Sequence, residues 1–219
     1  MMRRTPARIA SMLLVALTLL ACATLSGCQV LGALAAKGMG PTATPAQYVP
    51  RTIPTLILAE HSAASGVDDV SSQDIGRRTA ELWELHKLAP LIDLSRLEEL
   101  KMRHASDYSS MSVVAIGRAL GAQQVLYIDV RDNHDESAGG SDTIRATAAA
   151  RVRMVDVATG QTLWPADAAD GYPVDAETEF QARGEGVSES SQMEEVRGTL
   201  ANKIIKLFYE HLPDNPGSN

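Results

Sequence analysis

A run of strict alternation between Thr143 and Met154 narrows the possible folds more than any other feature of this chain. Ile144, Ala146, Ala148, Ala150, Val152 and Met154 fall on one side of the pattern. Thr143, Arg145, Thr147, Arg151 and Arg153 fall on the other. Successive side chains of a strand point to opposite faces, so this period of two dictates a strand with one buried and one wet face. Alanines carry little bulk, and their run on the buried side predicts a helix packed close against the sheet there. Val155 and Val157 break the alternation, which predicts a bulge or a second covered face. Thr159-Gly160 then turns the chain, and Gln161 to Trp164 reads as an antiparallel partner strand that Pro165 cuts short.

The remaining segments supply the layers around that strand. Leu56-Ile57-Leu58-Ala59 is a short apolar run with Pro54 at its edge, the mark of a buried strand that starts there. From Ser71 to Leu88, Ile75, Leu82 and Leu85 recur near the helical period, with Ser71 and Asp74 as a cap pair and Pro90 as the stop. Leu91-Ile92 reads as a brief strand. Ser95 and Glu98 form a capping box for a short helix to about His104. A second helix runs from about Ser110 to Leu120, with Gly121 as its C-terminal cap. Gln124 to Val130 is a strand, and Asp132 to Asp142 a polar loop. The last helix is the most regular: Ser191 and Glu194 box its start, Met193, Val196, Leu200, Ile204 and Leu207 line one face, and Lys203 and Lys206 suit its carboxyl end. The expected fold is α/β (α+β): a mixed, mostly antiparallel sheet of about four to five strands flanked by helices, with a long C-terminal amphipathic helix.

The amino terminus has a different character. Arg3, Arg4 and Arg8 precede an apolar run from about Ile9 to Leu20, which is the layout of an export signal. The run falls short of the roughly 20 residues that a membrane span needs. Leu25-Ser26-Gly27-Cys28 follows, and it resembles the lipobox of bacterial lipoproteins. That resemblance implies cleavage before Cys28 and acylation of its thiol, palmitate among the acyl groups. Several chains together would anchor stably where one binds only marginally. Ala21-Cys22 is a weaker candidate, because Leu20 stands where a small residue is preferred. Gln29 follows the cysteine in place of the aspartate that resembles an inner-membrane retention signal, so the outer membrane is the expected address. The resulting division is a signal peptide over 1–27, a flexible Gly-, Ala-, Pro- and Thr-rich tether over 28–51, a single α/β domain over 52–213 and a disordered tail over 214–219.

Cysteine and charge accounting exclude several kinds of chemistry. Cys22 and Cys28 are the two cysteines, so a chain cut at Cys28 has no spare thiol for a disulfide, a thiolate metal site or a nucleophile. The chain holds 20 basic and 27 acidic residues, and losing the leader takes away three arginines and no acid, so its net charge moves from −7 to −10. Such a surface disfavours nucleic acid and anionic lipid.

Two patches resemble one envelope superfamily. Ala115-Ile116-Gly117-Arg118-Ala119-Leu120-Gly121-Ala122-Gln123-Gln124-Val125-Leu126-Tyr127 resembles its helix-Gly-Ala-strand unit, and Val155-Asp156-Val157-Ala158-Thr159-Gly160-Gln161-Thr162-Leu163-Trp164 resembles its hairpin. The superfamily includes the TolB amino-terminal domain, the curli-secretion lipoproteins and the lipoprotein activators of penicillin-binding proteins. The resemblance implies a mixed sheet with helices and non-enzymatic docking or assembly work in the envelope. Gly121, Gly160 and Trp164 carry the motifs, and each also has a structural reading: a helix cap, a hairpin glycine and a residue sealing the sheet edge. The stretch Ala166 to Gly186 has no counterpart in the superfamily pattern.

No catalytic arrangement is written in the sequence. His61, His86, His104, His134 and His211 show no metal-binding spacing, and there is no Gly-x-Ser-x-Gly elbow, phosphate loop or dinucleotide fingerprint. Glu185, Glu189, Glu194 and Glu195 suit the start of the last helix. The expectations are therefore no catalytic residue, no metal and no cofactor. Phe208 and Tyr209 follow Leu207 too closely to share one narrow stripe, so one of them is expected on a partner-docking surface. The chain reads as a membrane-anchored periplasmic lipoprotein that binds another envelope protein without catalysis. Its rivals are a subunit of an oligomeric export or trans-envelope complex, and a hydrolase with an unrecognised site.

Overall fold

A computed structural model describes residues 42–61, 69–137, 143–182, 184 and 186–213. Cys28, the expected leader, the first part of the expected tether, Glu185 and the expected tail over 214–219 lie outside the described residues. The elements below all belong to one compact unit, Pro45–His211.

The alternating run forms the central strand. Strand β3 spans Thr143–Asp156, and its burial alternates from Thr143 through Met154. It pairs antiparallel with β2, Gln124–Ser137, from Gln124 opposite Asp156 to Ser137 opposite Ile144, with a bulge between Val130 and Asp132. β2 pairs parallel with β1, Thr55–His61. The other edge of β3 is shared by β4 (Thr162–Trp164), β5 (Tyr172–Glu177) and β6 (Gln181–Ala182), all antiparallel to it. The sheet thus has six strands, more than expected. Two segments account for the excess. The expected loop at Asp132 to Asp142 is strand as far as Ser137, and the unplaced stretch after Ala166 contributes β5 and β6. Val174 and Ala176 face the core from β5, an alternation too short to stand out among its acidic neighbours.

Among the described residues four helices cover the sheet: α1 (Asp69–Leu85), α2 (Leu94–Arg103), α3 (Val113–Leu120) and α4 (Glu189–Lys206). On one face, Ile75 and Trp83 of α1 and Val196, Leu200 and Ile204 of α4 pack on Ile57, Ile128 and the buried row of β3. The small side chains of Ala146, Ala148 and Ala150 lie in this layer, as their alternation predicts. On the opposite face, Leu97 and Leu100 of α2 and Ile116 and Leu120 of α3 cover Leu56, Leu58, Val125 and Val157. β1 is buried on both faces, which explains its unbroken apolar run. Val157 meets the second covered face, and the pairing of β3 with β4 shifts between Met154 and Val155.

The helix caps differ from the expected boxes by a few residues. Ser188 caps α4, exchanging bonds with Ser191, because the chain enters the helix one turn before Ser191–Glu194. Asp93 caps α2 by accepting from the Ser95 N–H, and Glu98 pairs with Lys101 instead. Ser71 and Asp74 lie inside α1, where Asp74 receives Arg77 and Arg78. Burial pushes the Asp74 carboxyl up, but the hydrogen bonds from those two arginines outweigh it and hold the group below the usual carboxylate range.

Candidate functional site

Strand register builds a small grid of side chains on the face that α2 and α3 cover only in part. One row runs Leu56, Val125, Val155 across β1, β2 and β3; the next runs Leu58, Tyr127, Arg153; the third runs Glu60, Asp129, Arg151. Alternation puts these nine residues on one face. The grid is apolar under the helices and becomes charged where they stop. The seam between the two regimes is the row of Leu58, Tyr127 and Arg153.

Four of the five polar members have a defined contact. The Arg153 guanidinium lies over the Tyr127 ring, 4.8 Å from its centroid. Arg131 ion-pairs with Asp129 at 2.6 Å. From the single 3₁₀ turn Tyr108–Ser110, the Tyr108 hydroxyl donates to Glu60 at 3.0 Å. Lys101 of α2 lies 5.7 Å from the centre of the Tyr108 ring. Arg153 Nε and Asp129 Oδ1 are buried and have no hydrogen-bond partner among the described residues.

Desolvation dominates the electrostatics. Burial raises the Glu60 carboxyl above its ordinary range, although the Tyr108 hydrogen bond and the Lys101 charge oppose it. Burial, with the charges of Glu60 and Asp129, pushes the Tyr127 phenol up to about 12. Burial and the Glu60 charge push the Tyr108 phenol up as well. Both phenols therefore stay protonated as hydrogen-bond donors at physiological pH. A cleft of about 530 Å³ opens beside the grid, lined by Glu60, Lys101, Tyr108, Ser109 and Met111 among others. Among the described residues no group of three or more His, Cys, Asp or Glu is placed to hold a metal ion. The arrangement offers fixed donors, two arginines and a desolvated carboxylate on rigid strands, which is equipment for recognition.

The residues singled out in the sequence lie elsewhere. Gly121 caps α3 with φ of 76°, its N–H reaching the carbonyls of Gly117 and Arg118. Gly160 sits in the β3–β4 turn with φ of 75°. Trp164 stacks on Tyr172 at 5.2 Å and meets Phe208 edge-on at 5.7 Å, closing the apolar layer beside the short β4 strand. Phe208 is 1 % exposed and also packs on Trp83, so it belongs to the core and offers no docking surface. The helical stripe continues one residue past Leu207, and this continuation turns Phe208 inward. Tyr209 is half-buried and stacks on His86 at 4.0 Å. None of these residues joins the grid. Sequence alternation had put Arg151 and Arg153 on the wet side of β3, but their partners on β1 and β2 depend on register between distant segments.

No family model and no curated protein matches the chain. Among solved structures, it is similar to the lipoprotein GNA1162 from Neisseria meningitidis, at 16 % identity over 70 % of this chain and 98 % of that one, with a TM-score of 0.46. It is similar also to the PelC dodecamer from Paraburkholderia phytofirmans, at 12 % identity over 78 % of this chain and 94 % of that one, with a TM-score of 0.41. The LpoB C-terminal domain from Salmonella enterica matches at 16 % identity over 61 % of this chain and 87 % of its own, with a TM-score of 0.36. Among the described residues no helix is long and apolar enough to cross a membrane.

Proposed function

We propose that this chain is a lipid-anchored envelope protein, acylated at Cys28 and facing the periplasm from the outer membrane, whose folded module holds another envelope protein without catalysis. The observation that carries the binding part is the charged end of the grid. There Tyr127, Asp129, Arg151 and Arg153 stand half-buried on neighbouring strands, with Glu60 and Tyr108 beside them, on the sheet face that α2 and α3 cover in part. Side chains on paired strands keep their spacing, so such a face recognises a partner with little reorganisation. The anchoring part rests on the Arg3–Arg8 region, the apolar run and Leu25–Cys28.

Two measurements in cells test the two parts separately. Cys28→Ser should abolish labelling by radioactive palmitate and leave the chain uncleaved. If the variant is processed and anchored as before, the anchoring is wrong. A photo-crosslinking residue at Ser109, exposed on the rim of the cleft, should give a discrete adduct with one envelope protein, while the same residue at Glu81, on the exposed side of α1, should not. Equal adduct patterns from both positions, or none from position 109, would remove the binding role.

A further inference from the structure

Most arginines of this module are matched by carboxylates. Arg77 and Arg78 meet Asp74, Arg131 meets Asp129, Arg145 meets Glu177 and Arg51 meets Asp156. Arg151 and Arg153, like Arg96, Arg103 and Arg118, have no carboxylate partner among the described residues, and what sets this pair apart is its place side by side on the half-buried face of β3. They lie two residues apart on β3, hence on one face, and Arg151 stands opposite Asp129. Arg153 is the more constrained of the two. Its guanidinium carbon lies over the Tyr127 ring, 4.8 Å from the centroid, and its Nε is buried without a partner among the described residues.

A guanidinium carries its N–H donors in a planar fork that matches a carboxylate, and a contact with an aromatic ring takes up no acceptor site on it. A desolvated cation is costly unless an acceptor completes it. A protein partner meets this fork with an Asp or Glu side chain, and Arg151 two residues along the same face of β3 favours a second acid in the same extended segment.

We propose that Arg153, assisted by Arg151, binds a carboxylate side chain of an acidic, extended segment in the partner protein. The inference rests on the reading of this module as a protein-binding one, and it names the chemistry that the partner must present.

The test uses the full chain in mild detergent and a fluorescein-labelled decapeptide rich in Asp and Glu, followed by anisotropy. The expected result is saturable binding that is lost when the peptide carries Asn and Gln instead. Arg153→Gln and Arg153→Lys should both weaken it roughly tenfold or more, the lysine because it lacks the planar fork. Arg151→Gln should weaken it several-fold, and it serves as the deciding variant if circular dichroism shows that the Arg153 variants do not fold. Binding should also weaken as salt is raised. The proposal is overturned if the acidic and amide peptides bind alike, if no saturable binding occurs, or if the folded arginine variants bind as the parent does. It is overturned too if inorganic phosphate or phosphatidylglycerol vesicles bind in preference to the peptide. Photo-crosslinking from position 109 in cells separates the two levels. An adduct that survives Arg151→Gln with Arg153→Gln would sink this inference and leave the protein-binding reading standing, whereas failure of capture in every version would sink that reading.

Discussion

A Cβ added to Gly117 would come within 2.9 Å of Val157 Cγ2, and within 2.8 Å of Val125 Cγ2 on the neighbouring strand. The absence of a side chain is what lets α3 settle on the sheet at this point. Both neighbours are β-branched and stiff, so they cannot swing away. Gly117→Ala would gain about 1 kcal/mol of helix propensity. Overpacking costs about 1–3 kcal/mol, so a net destabilisation of up to about 2 kcal/mol is expected in urea unfolding. Combining it with Val157→Ala should cost less than the sum of the single changes, because the second makes room for the first.

Phe208 and Tyr209 are adjacent in sequence and opposite in role. Phe208 sits between Trp83 and Trp164, with ring centres at 5.6 and 5.7 Å. Phe208→Ala removes the centre of that aromatic cluster and should lower stability by about 3–5 kcal/mol. Tyr209 stacks on His86 at the surface of the module, and Tyr209→Ala should cost about 1 kcal/mol or less. Thermal unfolding of both variants checks the assignment, and equal losses would contradict it.

The parts of this fold that read well from sequence are those whose signal is local. The alternation of Ile144 to Met154 specifies β3 and its buried side. The period of Val196, Leu200 and Ile204 specifies α4, and Gly121 and Gly160 mark a helix end and a turn by their positive φ. What stayed hidden depends on distant partners. β5 and β6 become strands because the long β3 edge is open to them, while their own sequence is short and polar. The grid is a harder case still. Glu60, Asp129 and Arg151 lie far apart in the sequence, and only parallel pairing of β1 with β2 and antiparallel pairing of β2 with β3 brings them into one row. Arg151 and Arg153 were legible as outward-facing, and their lack of carboxylate partners was not. The serine–glutamate spacings at Ser95 and Ser191 misled because real caps at Asp93 and Ser188 lay a few residues upstream.

Thr178 ties α4 to the sheet. Its hydroxyl donates to Gln192 Oε1 and accepts the Ala146 N–H at 2.9 Å, and both Thr178 and Gln192 are buried. Thr178→Val keeps the shape and deletes the hydroxyl, so two buried groups lose their partner. Leaving such groups unsatisfied costs about 1–3 kcal/mol, which is the expected drop in unfolding free energy. Adding Gln192→Met removes one orphaned acceptor, and the double variant should be less destabilised than the two single changes summed.

Glu60 should set a pH dependence of opposite sign to that of the common surface carboxylate. Burial raises its carboxyl above the ordinary value of 4.5, against the opposing Tyr108 hydrogen bond and Lys101 charge. A carboxyl that is harder to ionise in the folded state binds its proton more tightly there than in the unfolded chain. Its contribution to stability is therefore fully present below the unfolded value and declines as pH rises through the folded one. Glu60→Gln cannot ionise and still offers Tyr108 an acceptor oxygen. The variant should consequently gain on the parent as pH rises above about 4.5, and the gap should level off once Glu60 is fully ionised in the folded parent. Urea unfolding of both proteins at several pH values between acid and neutral measures that gap. A gap that stayed constant over the range would show that Glu60 is not desolvated, and a gap that shrank with rising pH would mean that Lys101 and Tyr108 outweigh burial.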